Sequence, residues 1–512
     1  MASVVTTVSS GNALPAPVVI GEDRVAPQQT IEADDPKNVE YSNAAFLPER
    51  DAIDFYESLE GMYVGVRDAE VVGPTASFAE IPVVPGSNVD AIRSEFNGVV
   101  YGGYDQPNAR RLQLDDLIIG AANMPKAIVG ETLPGLSTGV VDYSFANFKV
   151  ELTSVPQHAP SGMTRVTAIA KTDDRQLTVA SFNVENLAPQ NPNEKFARLA
   201  GQIVSNLRSP DILAIEEVHD NSGATDDGTV AADQTVAKLV AAISAAGGPP
   251  YAGKWVVPQD KADGGQPGGN IRNVLLYRLD RDLTFVSAGT PSATTATKVV
   301  TDKQGRVSLS VSPGRIDPTK PAFEDSRKPV VGQFKFRGQT LFVAEVHFSS
   351  KGGDDPQFGR WQQPVRFSEE ARRAQARVVR TFVDEIMAKD AAAKIVVAGD
   401  VNDFEFSRTS DILVDEGFID ILEGSRAKAL TDLPRTLPAA NRWTYVYEGN
   451  SQVLDHILIS NSLASLEKFS GPYRPGSGVK PAFVYDIVHT NAPFFDQDSD
   501  HNPRVFHLDL KR

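Results

Sequence analysis

The 512 residues include 41% hydrophobic and 23% charged side chains, a globular balance in a chain long enough for two or three domains and too apolar for wholesale disorder. No apolar run approaches the roughly eighteen residues of a membrane span, and with no cysteine neither disulfides nor thiolate metal sites are possible. A net charge of −16 attracts polyanions poorly, so any nucleic-acid chemistry needs local cations, from a metal or a few arginines.

The charge is uneven: residues 1–170 carry 22 acidic against 10 basic side chains, leaving 44 against 40 for the rest. Residues 1–43, with Pro15, Pro17, Pro27 and Pro36 among Glu32, Asp34 and Asp35, read as a linker or tail around one short strand-like patch. They hold no basic stretch followed by an apolar one, so no signal peptide is expected here. Residues 44–170 form short β-segments: Met62–Val66, Ile81–Val84, Gly98–Tyr101, Gly139–Tyr143 and Phe148–Leu152. Gly and Pro punctuate them, which predicts a small barrel-like or sandwich domain. Asp51–Glu60 reads as one helix, and its aromatics as core rather than a platform for bases.

From residue 171 to 512 the texture changes, and strands alternate with helices. Strands are expected at Leu177–Phe182, Ile212–Ile215, Arg272–Tyr277, Val330–Phe336, Thr340–Val346, Lys394–Ala398, Val453–Ser460 and Arg504–Leu508. Helices are expected at Glu194–Asn206, Val230–Ala246 and Ser368–Ala388, the last with Ser368 as N-cap and Glu369 and Glu370 in its first turn. Two insertions stand out, Asp220–Asp233 and Gly289–Glu324. This predicts an α/β domain with a β-rich domain before it.

Polar residues recur where these strands end. Asn183 and Glu185 follow Phe182; Glu216 and Glu217 follow Ile215; His347 ends one strand; Asp400 and Asn402 follow another. Asp455-His456 sit in the strand at 453–460, and Asp500-His501 precede the last strand. Side chains two apart in extended backbone point the same way, so Asp400 and Asn402 can face one group together. An acid closing a strand is also an ordinary turn former, but ligands gather at the carboxyl ends of strands in α/β folds. Six such ends rich in Asp, Asn, Glu and His exceed what turns require.

The ordered series Phe182-Asn183-Val184-Glu185, Ile215-Glu216-Glu217, Ser326-Arg327-Lys328-Pro329, Val346-His347-Phe348, Gly399-Asp400-Val401-Asn402-Asp403, Leu454-Asp455-His456 and Ser499-Asp500-His501-Asn502-Pro503 resembles the endonuclease/exonuclease/phosphatase superfamily, in its deoxyribonuclease-like branch. The resemblance implies a four-layered α/β sandwich, two packed mixed sheets flanked by helices. The upstream part resembles that of large secreted bacterial nucleases with an OB-like β-barrel domain, which implies secretion and a sequence shortened from a longer form. It further implies that Glu217 holds a divalent cation with Asn183 and Asp500 close by. An all-oxygen donor set suits Mg²⁺, with Mn²⁺ or Ca²⁺ also compatible, and not zinc. Asp400 would orient or deprotonate the attacking water and Asn402 steady the phosphate. His501 would meet the scissile phosphate, or relay a proton, with Asp455 on its other ring nitrogen. His347 takes the second histidine position, and Arg327 is a phosphate clamp.

Lys351, in the Gly-rich loop after His347, is a further substrate contact. Arg373, Arg377 and Arg380 share one helix face and read as solvated. His158, His219, His456, His489 and His507 read as structural. The expected activity is hydrolysis of nucleic-acid backbones, DNA and possibly RNA, with low sequence specificity. A phosphatase or phospholipase acting on inositol phosphates or sphingomyelin shares the same expectations of fold, and an inactive binding or adhesion module is the reading from another class. No membrane span and no obligate protein partner are expected.

Overall fold

The computed structural model of the protein describes residues 6–34, 37–40, 43, 45–86, 91–171, 173–414, 430–464 and 483–510. The chain divides into two compact units. One comprises Met1–Ala91, Asp105–Ser161 and Pro356–Gln363, the other Ile92–Tyr104, Gly162–Asp355 and Pro364–Arg512.

The first unit is one six-stranded sheet in the order Val18–Ile20, Tyr63–Val71, Ile81–Val84, Leu112–Asp115, Asn147–Leu152, Thr132–Ser144. Tyr63–Val71 also pairs with Thr132–Ser144, so the sheet closes into a barrel-like ring. Val64, Val66, Ala69 and Val71 turn inward with Val141, Phe148, Val150 and Leu152. The helix Ala52–Glu57 buries Ile53, Phe55 and Tyr56, and Tyr56 stacks on Phe148 at 5.0 Å; these aromatics are core. Two expectations are corrected. Residues 1–43 are no mere tail: Val18–Ile20 pairs in parallel with Val64–Val66, and Ile20, Ala26 and Ile31 enter the core. Met1–Val5, Asp35, Pro36, Tyr41 and Ser42 lie outside the described residues. Val99–Val100 belongs to the other unit, where it pairs in parallel with Asn450–Gln452.

The second unit is mixed α/β, with two large mixed sheets. The first runs Tyr251–Lys254, Arg272–Arg278, Ile212–Val218, Gln176–Leu187, Arg504–Asp509, Phe483–Ile487. The second runs Leu283–Val286, Val330–Phe336, Gln339–His347, Ile395–Asp400, Asp455–Ser460, Leu430–Asp432, with Gly314–Arg315 on Val330–Phe336. Each holds a single parallel pair at its middle, Gln176–Leu187 with Ile212–Val218 and Gln339–His347 with Ile395–Asp400. One apolar cluster joins side chains of both sheets, Val179, Ala214 and Phe506 with Val343, Val396 and Ile457. A second sets Val379, Val383 and Ile386 of the long helix Glu369–Lys389 against Val346 and Val397. A third sets Phe196, Leu199 and Leu239 of the helices Asn193–Gly201 and Asp233–Ala245 against Phe182 and Ile215. Strands covered on both faces need continuous apolar runs, which is why Ile395–Ala398 shows no alternation.

Local differences have physical causes. Ser368 has helical angles and makes no capping bond; its hydroxyl donates to Asp354 Oδ1 at 2.7 Å. The face of Arg373 and Arg380 carries the acidic partners expected of it, Glu369, Glu370 and Asp384, and departs from a solvated face only in the burial of Arg380. Arg373 pairs with Glu369 and Glu370, and Arg380 is buried against Asp384. Gln176–Leu187 runs five residues past Phe182, with its register shifting after Asn183. Glu185 and Asn186 take φ of 49° and 50°, a bulge that re-aims the side chains at the strand end.

Candidate active site

Pairing register places the polar residues before any side-chain contact is considered. In the two parallel pairs Asn183 lies opposite Glu216 and His347 opposite Asp400. Antiparallel pairing puts Asp455 opposite Asp400. Gly399 makes the second of these pairs possible: its φ is 145°, and a Cβ there would lie 1.8 Å from the Val346 carbonyl oxygen. Glu217 and Asn402 also have left-handed φ, 63° and 54°. Strained backbone of this kind persists where the surroundings fix it, and it gathers at functional sites.

The centre is Asp400, which is buried. His501 Nε2 lies 3.8 Å and His347 Nε2 3.7 Å from its Oδ2, and Asn183 Nδ2 donates to the same oxygen at 3.3 Å. His501 Nδ1 is 2.8 Å from Asp455 Oδ2, while Asp455 Oδ1 is 2.8 Å from Arg504 Nη1. Tyr445 lies against the His501 ring at 4.9 Å. Asn402 donates its amide to the Phe348 carbonyl at 3.2 Å, and its backbone N–H donates to Asp400 Oδ1 at 2.7 Å. Arg327 donates to that same Phe348 carbonyl at 2.5 Å, and its Nε, buried, has no hydrogen-bond partner.

The electrostatics separate the two histidines. Burial pulls the His501 imidazole down, but Asp455, Asp500 and Asp400 outweigh it and hold the pKa well above the ordinary value. His347 is driven well below by burial, then by Arg327 and His501. The surroundings thus favour the charged imidazole at His501 and the neutral one at His347. Burial also lifts Asp400 to about 7, with His501 opposing. Asp455 stays below the usual carboxylate range because Arg504 and His501 overcome its burial.

The oxygen donors lie at the more open side. Glu217 Oε1 accepts from Asn183 Nδ2 at 3.0 Å and lies 3.8 Å from His347 Nε2; its Oε2 accepts from the Asn186 N–H at 2.9 Å. Asp500 Oδ1 is 3.7 Å from His501 Nε2. Asn183 Oδ1 already accepts from the Glu185 N–H at 3.0 Å, so its amide serves as a bridge between Glu217 and Asp400. Glu185, expected at this strand end but given no role there, joins the group electrostatically. Its carboxyl is lifted to about 7 by burial and by Asp500, with Lys195 opposing and Glu217 adding to the rise. Carboxylate oxygens on this side suit a divalent cation, although Glu185, Glu217 and Asp500 do not form a group with ligand atoms all within 4.8 Å of one another. Asp400, Asp455 and His501 offer ligand atoms within 4.8 Å of one another. There, however, His501 Nδ1 and Asp455 are already committed to each other.

Lys351 is tied down: its Nζ donates to Asp403 at 3.0 Å and lies 3.9 Å from the centre of the Phe404 ring. Asp403 is also held by Arg372 and Thr409. His456 is structural, between Asp432 at 3.0 Å and the Asp403 carbonyl at 2.9 Å. Glu216 accepts from Ser181 at 2.6 Å, with Arg504 3.7 Å away. Two features escape a reading of the sequence. Arg504 follows the His501 motif inside a strand, and nothing local marks it as buried. An aromatic group, Phe404 and Phe406 stacked at 5.0 Å with Tyr101 and Tyr104 edge-on, draws two members from the stretch assigned to the β-rich domain. Arg366 lies 3.6 Å over Tyr104.

Residues 19–160 match a family model described as a domain of unknown function. None of the curated proteins compared with the chain matches it. Among solved structures, a humanized D. rerio TDP2 is similar at 16% identity and a TM-score of 0.37, over 65% of this chain and 98% of that one. An endonuclease/exonuclease/phosphatase family protein from Bacteroides thetaiotaomicron is similar at 17% and 0.37, over 66% and 99%. The mannosyl-6-phosphatase Bt3783 from Bacteroides thetaiotaomicron VPI-5482 is similar at 16% and 0.35, over 64% and 98%. Likeness at this level says nothing about substrate. Residues 180–501, the span from the first strand of this site to His501, match the model described as the Endonuclease/Exonuclease/phosphatase family, and the chain belongs to that family.

Proposed function

We propose that the protein is a divalent-metal-dependent phosphodiesterase that hydrolyses nucleic-acid backbones with low sequence specificity. The observation that carries this reading is the array Arg504–Asp455–His501 converging with His347 on Asp400. Asp455 fixes the His501 tautomer and orientation through Nδ1, leaving Nε2 to donate to a phosphoryl oxygen or to the leaving group. Asp400, at about 7, is tuned to accept a proton from an attacking water near neutral pH. His347, neutral, steadies that water or the phosphate without adding charge. Arg327 supplies buried positive charge at the same floor, and Asn402 holds the turn that aims Asp400.

Glu217 would hold the cation, with Asp500 close by and Asn183 fixing Glu217. When bound, Mg²⁺ or a similar ion polarises a phosphoryl oxygen and stabilises the leaving oxygen. Tyr104, 37% exposed beneath Arg366, gives a cation–aromatic pair of the kind that holds single-stranded nucleic acid, which supports nucleic acid over a sugar phosphate. We read the two sheets and their helices as a four-layered sandwich, the ring-like first unit as an accessory domain, and the protein as secreted.

The test is incubation with closed circular DNA, RNA, sphingomyelin and an inositol phosphate, each with Mg²⁺ and with EDTA. Metal-dependent nicking of the circle is expected. Turnover of the lipid or the sugar phosphate with intact DNA would replace this reading with the phospholipase or phosphatase one, and no turnover of any substrate would favour the binding module.

A further inference from the structure

The first unit contains a second acidic cluster, unrelated to the site above. Glu32, Asp51 and Asp54 each offer a carboxylate oxygen, and these atoms all lie within 4.8 Å of one another. Glu32 is 4% and Asp51 0% exposed. Acidic clusters are common, but Asp51 is unusual in that, among the described residues, neither of its carboxylate oxygens makes a hydrogen bond of ordinary geometry, the Ala33 amide acting on it only from nearby. It stands at the N-cap of Ala52–Glu57, where an aspartate normally accepts from the first helical N–H groups, yet it makes no capping bond. Its carboxylate faces Glu32 and Asp54 instead. Those two are anchored: Glu32 Oε1 accepts from the Asp34 N–H at 2.9 Å, and Asp54 Oδ2 from the Leu47 N–H at 2.6 Å.

We infer that Glu32, Asp51 and Asp54 form a calcium site of the first unit. A buried carboxylate with two unsatisfied oxygens is unfavourable unless a cation meets it. Ca²⁺ binds oxygen ligands at about 2.3–2.6 Å, so two ligands on one ion lie at most about 5 Å apart; the spacing here satisfies that limit. Asp51 can chelate through both oxygens while Glu32 and Asp54 each give one, within the six to eight that Ca²⁺ takes. Mg²⁺ keeps most of its waters and demands a tighter octahedron. Glu32 and Asp51 are both pushed up, first by burial and then by neighbouring carboxylates, against the Asp34 and Ala33 amides and, for Asp51, Arg50. Their charge is thus incompletely balanced within the protein. The ion would clamp the segment before the helix to the helix start, holding Ile31 and Ile53 in the core.

The test is equilibrium dialysis of the chelator-stripped full chain against radioactive Ca²⁺, parent beside Asp51→Asn. The catalytic carboxylates are the same in both, so their contribution cancels. The parent is expected to bind one more Ca²⁺ per chain than the variant, and to show a Ca²⁺-dependent rise in Tm that the variant loses in part. Equal stoichiometry overturns the site, and displacement of that Ca²⁺ by equimolar Mg²⁺ overturns its assignment to calcium. If circular dichroism shows Asp51→Asn unfolded, Glu32→Gln, which keeps the acceptor for the Asp34 N–H, carries the same test with the same outcomes.

Discussion

Asp455 does not reach the open side of the site; its role is to hold His501, and that can be measured. Its Oδ2 is 2.8 Å from His501 Nδ1 and its Oδ1 2.8 Å from Arg504 Nη1. In Asp455→Asn the charge disappears, and the amide can turn its NH₂ towards Nδ1, which inverts the tautomer. A hydrogen bond to a charged group contributes about 1.5–3 kcal/mol. At about 1.4 kcal/mol per tenfold, kcat should fall by roughly 10- to 150-fold if that bond positions His501 in the transition state. Stability falls too. Arg504 is left with Glu216, 3.7 Å away, whose carboxyl burial lifts to about 8 and so neutralises in large part at pH 7. Breaking a buried pair in this way costs about 3–5 kcal/mol. The assay is single-turnover nicking of closed circular DNA at saturating Mg²⁺, run well below the Tm measured for each variant. A folded Asp455→Asn protein with parental kcat would refute the positioning role.

Other perturbations probe separate parts of the molecule. Arg327→Gln removes the buried cation beside Phe348 and is expected to lower kcat/KM by about 10- to 100-fold; an unchanged value would make Arg327 a packing residue. Tyr104→Ala is expected to raise KM for single-stranded DNA several-fold with little change in kcat, since stacking on one aromatic contributes about 1–3 kcal/mol per base; equal KM values would remove the aromatic group from the substrate path. His507 is pushed down to about 4 by burial and by Lys171, with Asp211 opposing. Below its ordinary value of 6.5 the unfolded chain takes up a proton that the folded chain refuses, so stability falls as the pH drops from 6.5 towards 4, by about 3 kcal/mol from this group. Urea unfolding of His507→Leu between pH 7 and pH 4 should lack that share of the loss; a loss equal to the parent's would assign the acid sensitivity to other groups.

Much of the second unit was legible because its local signals agree. Apolar runs such as Ile395–Ala398 mark strands buried on both faces, and the polar residue closing each run marks the edge where a site assembles. Register then does what spacing cannot. Asp400 and Asp455 are far apart in sequence and directly opposed in the sheet, a relation that no periodicity encodes. Arg504 and Tyr445 were missed for the same reason, each owing its place to a pairing rather than a motif. The anchoring of Lys351 was not legible, because Asp403 and the Phe404 ring, which hold it, are reached only by folding. The first unit was less readable. Its strands are short, and Val18–Ile20 counts as structure only because Val64–Val66 supplies its partner. A stretch rich in proline and acid reads as linker until the burial of Glu32 and Ile31 is seen.

The most direct test of the catalytic centre is the nicking rate of closed circular DNA by the parent and by His501→Ala, each with Mg²⁺ and with excess EDTA. The parent should nick only with metal, and the folded variant should be slower by about 10²–10⁴-fold, the range a general acid–base contact supplies. Parental nicking by His501→Ala, or undiminished nicking in EDTA, would contradict the assignment of the chemistry to this site.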